Sequence, residues 1–210
     1  GFGDAAFYVL PDGTTMLVDA GEMDRTSERV LSPRNAPPRP NSSCPPYEWI
    51  VDYIEQVRPG TSRIDYAYLT HFHDDHMGCV SELSDEAENG AYKLAGLVGV
   101  GDQILFDKLI DRGYPDYDYP LALDNPKLVD AYGQRPEYQK TCRTMGNYRA
   151  FIAHHQEHND LQAEKFNVGV NDQFVLQKER DKYPAFEIRN ICGNGEVWTG
   201  VDTVSKQHFP

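Results

Sequence analysis

The chain is expected to fold as an α/β layered domain, and three observations predict it. Residues 5–10 and 14–18 are rich in Tyr, Val, Leu and Phe and flank the turn Pro11-Asp12-Gly13, so they read as a β-hairpin. Residues 46–57 place apolar side chains at helical spacing, and residues 64–70 follow as a strand. That strand runs directly into a concentration of histidines. Open α/β sheets hold their ligands at the carboxyl ends of strands, so the order of elements already suggests where the chemistry sits.

The elements follow in order. Asp19-Ala20-Gly21 ends the second hairpin strand. Residues 31–46 hold six prolines and no apolar periodicity, which predicts an extended loop. In residues 46–57, Trp49, Ile50, Tyr53, Ile54 and Val57 form one stripe, opposite Glu48, Asp52, Glu55 and Gln56. Pro59-Gly60 stops this helix. Residues 78–84 read as a short helix, 94–100 as a strand and 102–111 as a helix ending at Arg112-Gly113. The Tyr/Asp/Pro stretch 114–121 is either an acidic surface loop or an aromatic rim facing a substrate. Residues 126–160 read as one or two helices, interrupted near Gly133 to Pro136. Segments 173–176 and 186–191 are strand-like, and Asn194-Gly195 is a hairpin turn into 196–199. The whole of 1–210 is taken as a single domain, with a helical insertion around 101–165.

The nine residues 70–78, Thr-His-Phe-His-Asp-Asp-His-Met-Gly, contain three of the seven histidines in the pattern H-x-H-x-D-H. Imidazole nitrogen and carboxylate oxygen are the usual ligands of zinc and its neighbours. A sharp turn after the strand allows His71 and His73 to address one ion, and Asp75 and His76 another. The nitrogen-rich set favours zinc, with manganese and iron open. Asp75 is expected to be a ligand that also orients the attacking water. Asp74 fills the variable position, facing solvent or capping the next helix. A second cluster, His154 and His158, stands at i, i+4 and is either a chelating pair or a solvated helix face. His155 between them has no evident partner.

The loop at 70–78 resembles the metal-binding loop of the metallo-β-lactamase superfamily. Residues 1–21, Gly-Phe-Gly-Asp-Ala-Ala-Phe-Tyr-Val-Leu-Pro-Asp-Gly-Thr-Thr-Met-Leu-Val-Asp-Ala-Gly, resemble the opening of that fold. They are most similar to the β-lactamase-like domain of bacterial competence (DNA-uptake) proteins and their soluble relatives. The resemblance implies a partial αββα sandwich whose first strand and C-terminal half are missing, because the family's later Gly-Asp and His-His-Gly-Ser strings do not occur here. It also implies that Asp19 buttresses the metal loop. The implied activity is hydrolysis of an ester-type bond by a metal-activated water at a site of two ions. The alternative is a non-catalytic metal-binding module.

Composition bounds the partners. The chain has 210 residues, 40% of them hydrophobic, and no apolar run near the roughly 20 residues that a membrane span needs. Its mean hydropathy is −0.62. A net charge of −13 argues against a surface built to neutralise nucleic-acid phosphates, although bound divalent ions would offset some of it. The resemblance favours a phosphodiester substrate and the acidity a small ester or lactone. The four cysteines, Cys44, Cys79, Cys142 and Cys192, form no C-x-x-C pair and so suggest no zinc ribbon. With the true N-terminus expected to be absent, localisation is left open.

Overall fold

The computed structural model describes residues 3–37 and 39–208. Gly1 and Phe2 of the opening motif, Pro38 of the proline-rich loop, and residues 209 and 210 lie outside them. The hairpin forms as expected: β1 (Ala5–Val9) pairs antiparallel with β2 (Thr15–Ala20). The register jumps from Ala5↔Ala20 to Ala6↔Val18, so Asp19 is an extra residue in β2. It takes a positive φ of 57°, as Asp does more readily than most residues. This is a β-bulge, and bulges re-aim side chains at sheet edges.

After the short helix α1 (Glu28–Leu31) comes α2 (Pro46–Val57), whose Pro46 occupies the first turn, where no backbone donor is lost. Its buried stripe is Tyr47 and Ile54, with Ile50 and Val51 packed beside them. Tyr53 and Val57 are 61% and 49% exposed, so the expected stripe is rotated by part of a turn. Then β3 (Arg63–Leu69) joins the sheet parallel to β2.

The next two assignments are corrected. Residues 94–100, expected as a strand, begin α4 (Gly96–Gln103); residues 102–111, expected as a helix, contain β4 (Leu105–Asp111). Helix α4 is apolar all round because it is enclosed, with Gly96 through Gly101 all buried, so no amphipathic period marks it. A Cβ on Gly99 would lie 2.4 Å from the Tyr47 ring, so glycine is what lets α4 pack against α2. Strand β4 is covered on both faces, and a short doubly buried strand cannot be told from a helix by period. The expected helix at 78–84 is also absent: the single turn α3 (Asp74–Met77) ends at Gly78, whose φ is 94°.

Helices α5 (Pro126–Tyr132) and α6 (Pro136–His158) break where Gly133 to Pro136 predicted. Strand β5 (Gln162–Lys165) then returns to the sheet, so the stretch 101–165 carries two sheet strands besides its helices. The five strands lie in sequence order, all parallel after the first hairpin. Segments 173–176 and 186–191 are not strands. Instead Phe166, Phe174 and Ile188 cover the sheet face bearing Tyr66, Tyr68 and Ile110. The expected turn at Asn194-Gly195 joins β6 (Cys192–Gly193) to β7 (Glu196–Trp198), and β8 (Ser205–Gln207) completes a three-stranded sheet.

The opposite face of the main sheet carries the larger core. Leu17, Ala67, Leu69 and Leu109 meet α2, α4 and α6 through Ile54, Leu97, Tyr148 and Phe151. His155 is buried within α6 and finds a partner after all. The Tyr92 hydroxyl donates to Asp102 at 2.7 Å, so His155 Nε2–H donates to Tyr92 at 2.8 Å. Burial, with His154 alongside, pushes its pKa from 6.5 down to about 4.

Two outcomes test this packing. Gly99→Ala should destabilise the protein by about 1–2 kcal/mol in urea, since overpacking outweighs the helix-propensity gain of Ala. A stabilising change would contradict the close α2–α4 approach. His155 takes up a proton in the unfolded chain before it does in the folded one. Stability is therefore complete above pH 6.5 and falls as pH drops from 6.5 toward 4. Thermal midpoints across that window should flatten in His155→Gln relative to the wild type.

Candidate metal centre

The carboxyl ends of β2, β3 and β4 lie side by side, with Leu69 opposite Asp111. Immediately beyond β3 the chain turns, and His73 caps α3 with extended backbone (φ −90°, ψ 153°). The turn brings His71, Asp75 and His76 together, one ligand atom of each lying within 4.8 Å of the others. Among the described residues this is the one group of three such donors. The rings of His71 and His76 are 4.0 Å apart, and His73 Nδ1 sits 3.1 Å from His71 Nε2. His71 therefore stands against both His73 and the Asp75–His76 pair.

Asp19 organises these rings. Its Oδ1 accepts from the Thr70 amide at 2.8 Å, and its Oδ2 accepts from the Thr70 hydroxyl and from His76 Nδ1, each at 2.8 Å. With Nδ1 of His76 donating, Nε2 keeps its lone pair. The Thr70 hydroxyl spends its only proton on Asp19, so at 3.1 Å it accepts from His71 Nδ1–H. That leaves Nε2 of His71 unprotonated as well, an acceptor toward His73 Nδ1 at 3.1 Å. One carboxylate thus sets the tautomer of two histidines, the arrangement in which a neutral imidazole offers a metal its second nitrogen. Desolvation, reinforced by His76 and His73, lowers the pKa of His71, which favours the neutral ligand form.

The backbone holds the loop equally firmly. Asp4 N donates to the Asp75 carbonyl at 2.8 Å, Gly21 N to the Asp4 carbonyl at 2.9 Å, and Glu22 N to the Asp74 carbonyl at 3.0 Å. A Cβ on Gly21 would lie 1.8 Å from the Asp75 carbonyl oxygen, so only glycine fits there. Asp74, expected to face solvent or cap a helix, instead pairs with Lys140 of α6 at 2.5 Å. Glu22 is buried and accepts from the Gly96 amide at 3.0 Å; burial raises its pKa against that bond.

Other site residues lay outside the sequence reading. The Asp4 carboxylate comes within 3.7 Å of His76 Nε2, although its side chain is largely exposed. Only its neighbouring glycines could have signalled this. Asp111, buried at the end of β4, accepts from the amides of Gly113 and Tyr114 and from the hydroxyls of Tyr117 and Tyr148. Burial raises its pKa against those four donors. It folds the Tyr/Asp/Pro stretch inward, so Tyr117 and Tyr119 line a cavity of about 820 Å³ that opens on His71 and His73. The stretch thus turns Tyr117 and Tyr119 to the cavity while Asp116 and Asp118 stay exposed on the surface. His154 and His158 stack at 4.4 Å near the end of α6, with His158 Nδ1–H donating to the His154 carbonyl, and neither belongs to the three-donor group.

A layered α/β sheet with a nitrogen- and carboxylate-rich loop at its carboxyl edge defines a domain able to hold a metal ion. The family model of the metallo-beta-lactamase superfamily matches residues 1–141, more than half of the chain, and the chain belongs to that superfamily. Its members are mostly hydrolytic enzymes that work with metal ions. No curated protein and no solved structure matches the chain.

Replacing Asp19 by Asn removes the charge while keeping the shape. Metal affinity measured by competition with a chelator should fall about 10- to 100-fold, the usual cost of losing such a partner. Unchanged affinity in a folded Asp19→Asn protein would contradict the role given to this carboxylate.

Proposed function

We propose that the chain is a metal-dependent hydrolase of ester-type bonds. The observation that carries this reading is the convergence of His71, Asp75 and His76, with His71 and His73 lining a cavity of about 820 Å³ and the Nε2 atoms of His71 and His76 left unprotonated by the Asp19 network. Three protein donors with a position left over is the pattern of catalytic rather than structural zinc sites. His73, facing His71 Nε2, supports a second ion. Zinc is the proposed metal, and two ions the proposed number.

A divalent ion bound here supplies Lewis acidity and lowers the pKa of a coordinated water. The protein's own groups do the rest. Asp19 holds His76 and, through Thr70, His71 in the tautomers that keep Nε2 unprotonated. The Asp75 carboxylate, 3.9 Å from His76 Nε2, binds beside the ring and accepts a hydrogen bond from the attacking water, fixing its direction. In the reaction the water oxygen bonds to the acyl or phosphoryl centre, the ester C–O or P–O bond breaks, and the alcohol leaves with a proton. Phe72, Tyr117 and Tyr119 shield the reacting group from bulk water. Phosphodiesters, lactones and simple esters are the proposed substrate classes.

The zinc-loaded protein should hydrolyse bis(4-nitrophenyl) phosphate or 4-nitrophenyl acetate. His71→Ala combined with His73→Ala should lower kcat/KM by about a hundredfold or more, the scale of losing a principal electrostatic stabiliser. Unchanged turnover would refute the reading, and metal binding without turnover would favour the non-catalytic module. His154→Ala with His158→Ala should leave metal content as it was, and loss of an ion there would overturn the assignment of the ligands.

A further inference from the structure

The cavity beside the metal loop has an uneven charge arrangement that the chemistry of the loop does not require. Arg112 follows directly on β4 and is half-buried against the loop, its guanidinium 5.8 Å from the ring centre of Phe72, the residue between His71 and His73. On its other side it lies 5.4 Å from the Tyr119 ring and donates to the Tyr119 carbonyl at 3.2 Å. Its Nε is buried with no hydrogen-bond partner. Arg149 of α6 stands at the same cavity, 5.4 Å from the Tyr117 ring. Among the described residues neither guanidinium forms an ion pair with a carboxylate.

That pairing pattern is unusual in a chain of net charge −13, where carboxylates outnumber cations. The two acids that line the cavity, Asp116 and Asp124, are exposed, whereas Arg112 is held inward by two aromatic rings. The remaining wall is mostly apolar, with Leu123, Leu128 and Met145 contributing. At about 820 Å³ the space is of the size that encloses a small organic molecule. A planar guanidinium with uncommitted N–H groups is suited to a carboxylate or a similar oxyanion.

We propose that this cavity binds an amphipathic monoanion, an aromatic or acyl body carrying one carboxylate or equivalent oxyanion, with the anion at Arg112 and the bond to be cut at His71 and His73. The second half of that statement rests on the hydrolase reading; the first does not. Arg149 closes over the body of the ligand and adds to the attraction at the entrance. Arg112 is then a specificity-determining residue, and neutral analogues of the same shape are bound more weakly.

The test uses two fluorescent probes that share an aromatic body, 1-anilinonaphthalene-8-sulfonate and the uncharged N-phenyl-1-naphthylamine. The wild-type protein should bind the sulfonate about tenfold or more tightly, the scale of a charge-assisted hydrogen bond. Arg112→Met, checked for folding by circular dichroism, should bring the two dissociation constants within about threefold. Gly146→Trp gives a second variant: Gly146 lines the cavity with open space at its Cβ, so the indole should fill it and weaken both probes. Equal wild-type affinities, or a preference that survives Arg112→Met, would overturn the proposal.

Turnover separates this from the hydrolase reading. In the zinc-loaded protein, mono-4-nitrophenyl adipate should be cleaved in preference to 4-nitrophenyl hexanoate, and Arg112→Met should remove the preference mainly through KM. A sulfonate preference without hydrolysis of either ester or of bis(4-nitrophenyl) phosphate supports the anion site and refutes the hydrolase reading. Hydrolysis without a sulfonate preference refutes the anion site alone.

Discussion

The Asp19 carboxylate is the constraint on which the site depends. It is buried, sits on a bulge with a left-handed backbone, and accepts three hydrogen bonds from two residues of the loop that follows β3. Such a backbone conformation costs on the order of 1 kcal/mol, and hydrogen bonds to a charged acceptor offset it at about 1.5–3 kcal/mol each. What is gained is orientation. Without the bulge the side chain of residue 19 would continue the alternation of β2 rather than point to the end of β3. Tautomers at His71 and His76 would then be unset, and their Nε2 atoms would not be reserved for a metal.

Much of this was legible in the sequence, for identifiable reasons. The Pro11-Asp12-Gly13 turn, the helix that starts at Pro46 and the strand ending in histidines are local signals, carried by residues whose own chemistry dictates the conformation. The H-x-H-x-D-H spacing likewise encodes a turn tight enough to bring donors together. Asp19 could be suspected only from resemblance, because the bulge that aims it is a property of pairing between β1 and β2. Where both faces of an element are buried, the signal vanished: 94–100 and 102–111 exchanged their expected types. The segments at 173–176 and 186–191 look like strands because they are apolar. They are apolar in order to cover a sheet face, not to extend it.

The cavity was invisible for a different reason. Its walls come from the stretch after β4, from α5 and from the first half of α6, brought together by Asp111 and by the Asp74–Lys140 pair. No one of these segments carries a motif. Each is ordinary in sequence, and only the sheet's register places Arg112 beside Phe72. The acidity of the chain, read alone, argued against a surface that neutralises nucleic-acid phosphates. The structure shows that net charge and local charge diverge, with two guanidinium groups that form no ion pair among the described residues kept at a cavity that meets the metal loop.

The most direct test of the central claim is the zinc content of the purified chain after loading and exhaustive dialysis against metal-free buffer, read by elemental analysis. The account predicts one to two ions per chain, retained in the wild type and lost with His71→Ala and His76→Ala together. A dialysed wild-type protein that is essentially metal-free, or retention equal to wild type in the double variant, would contradict it.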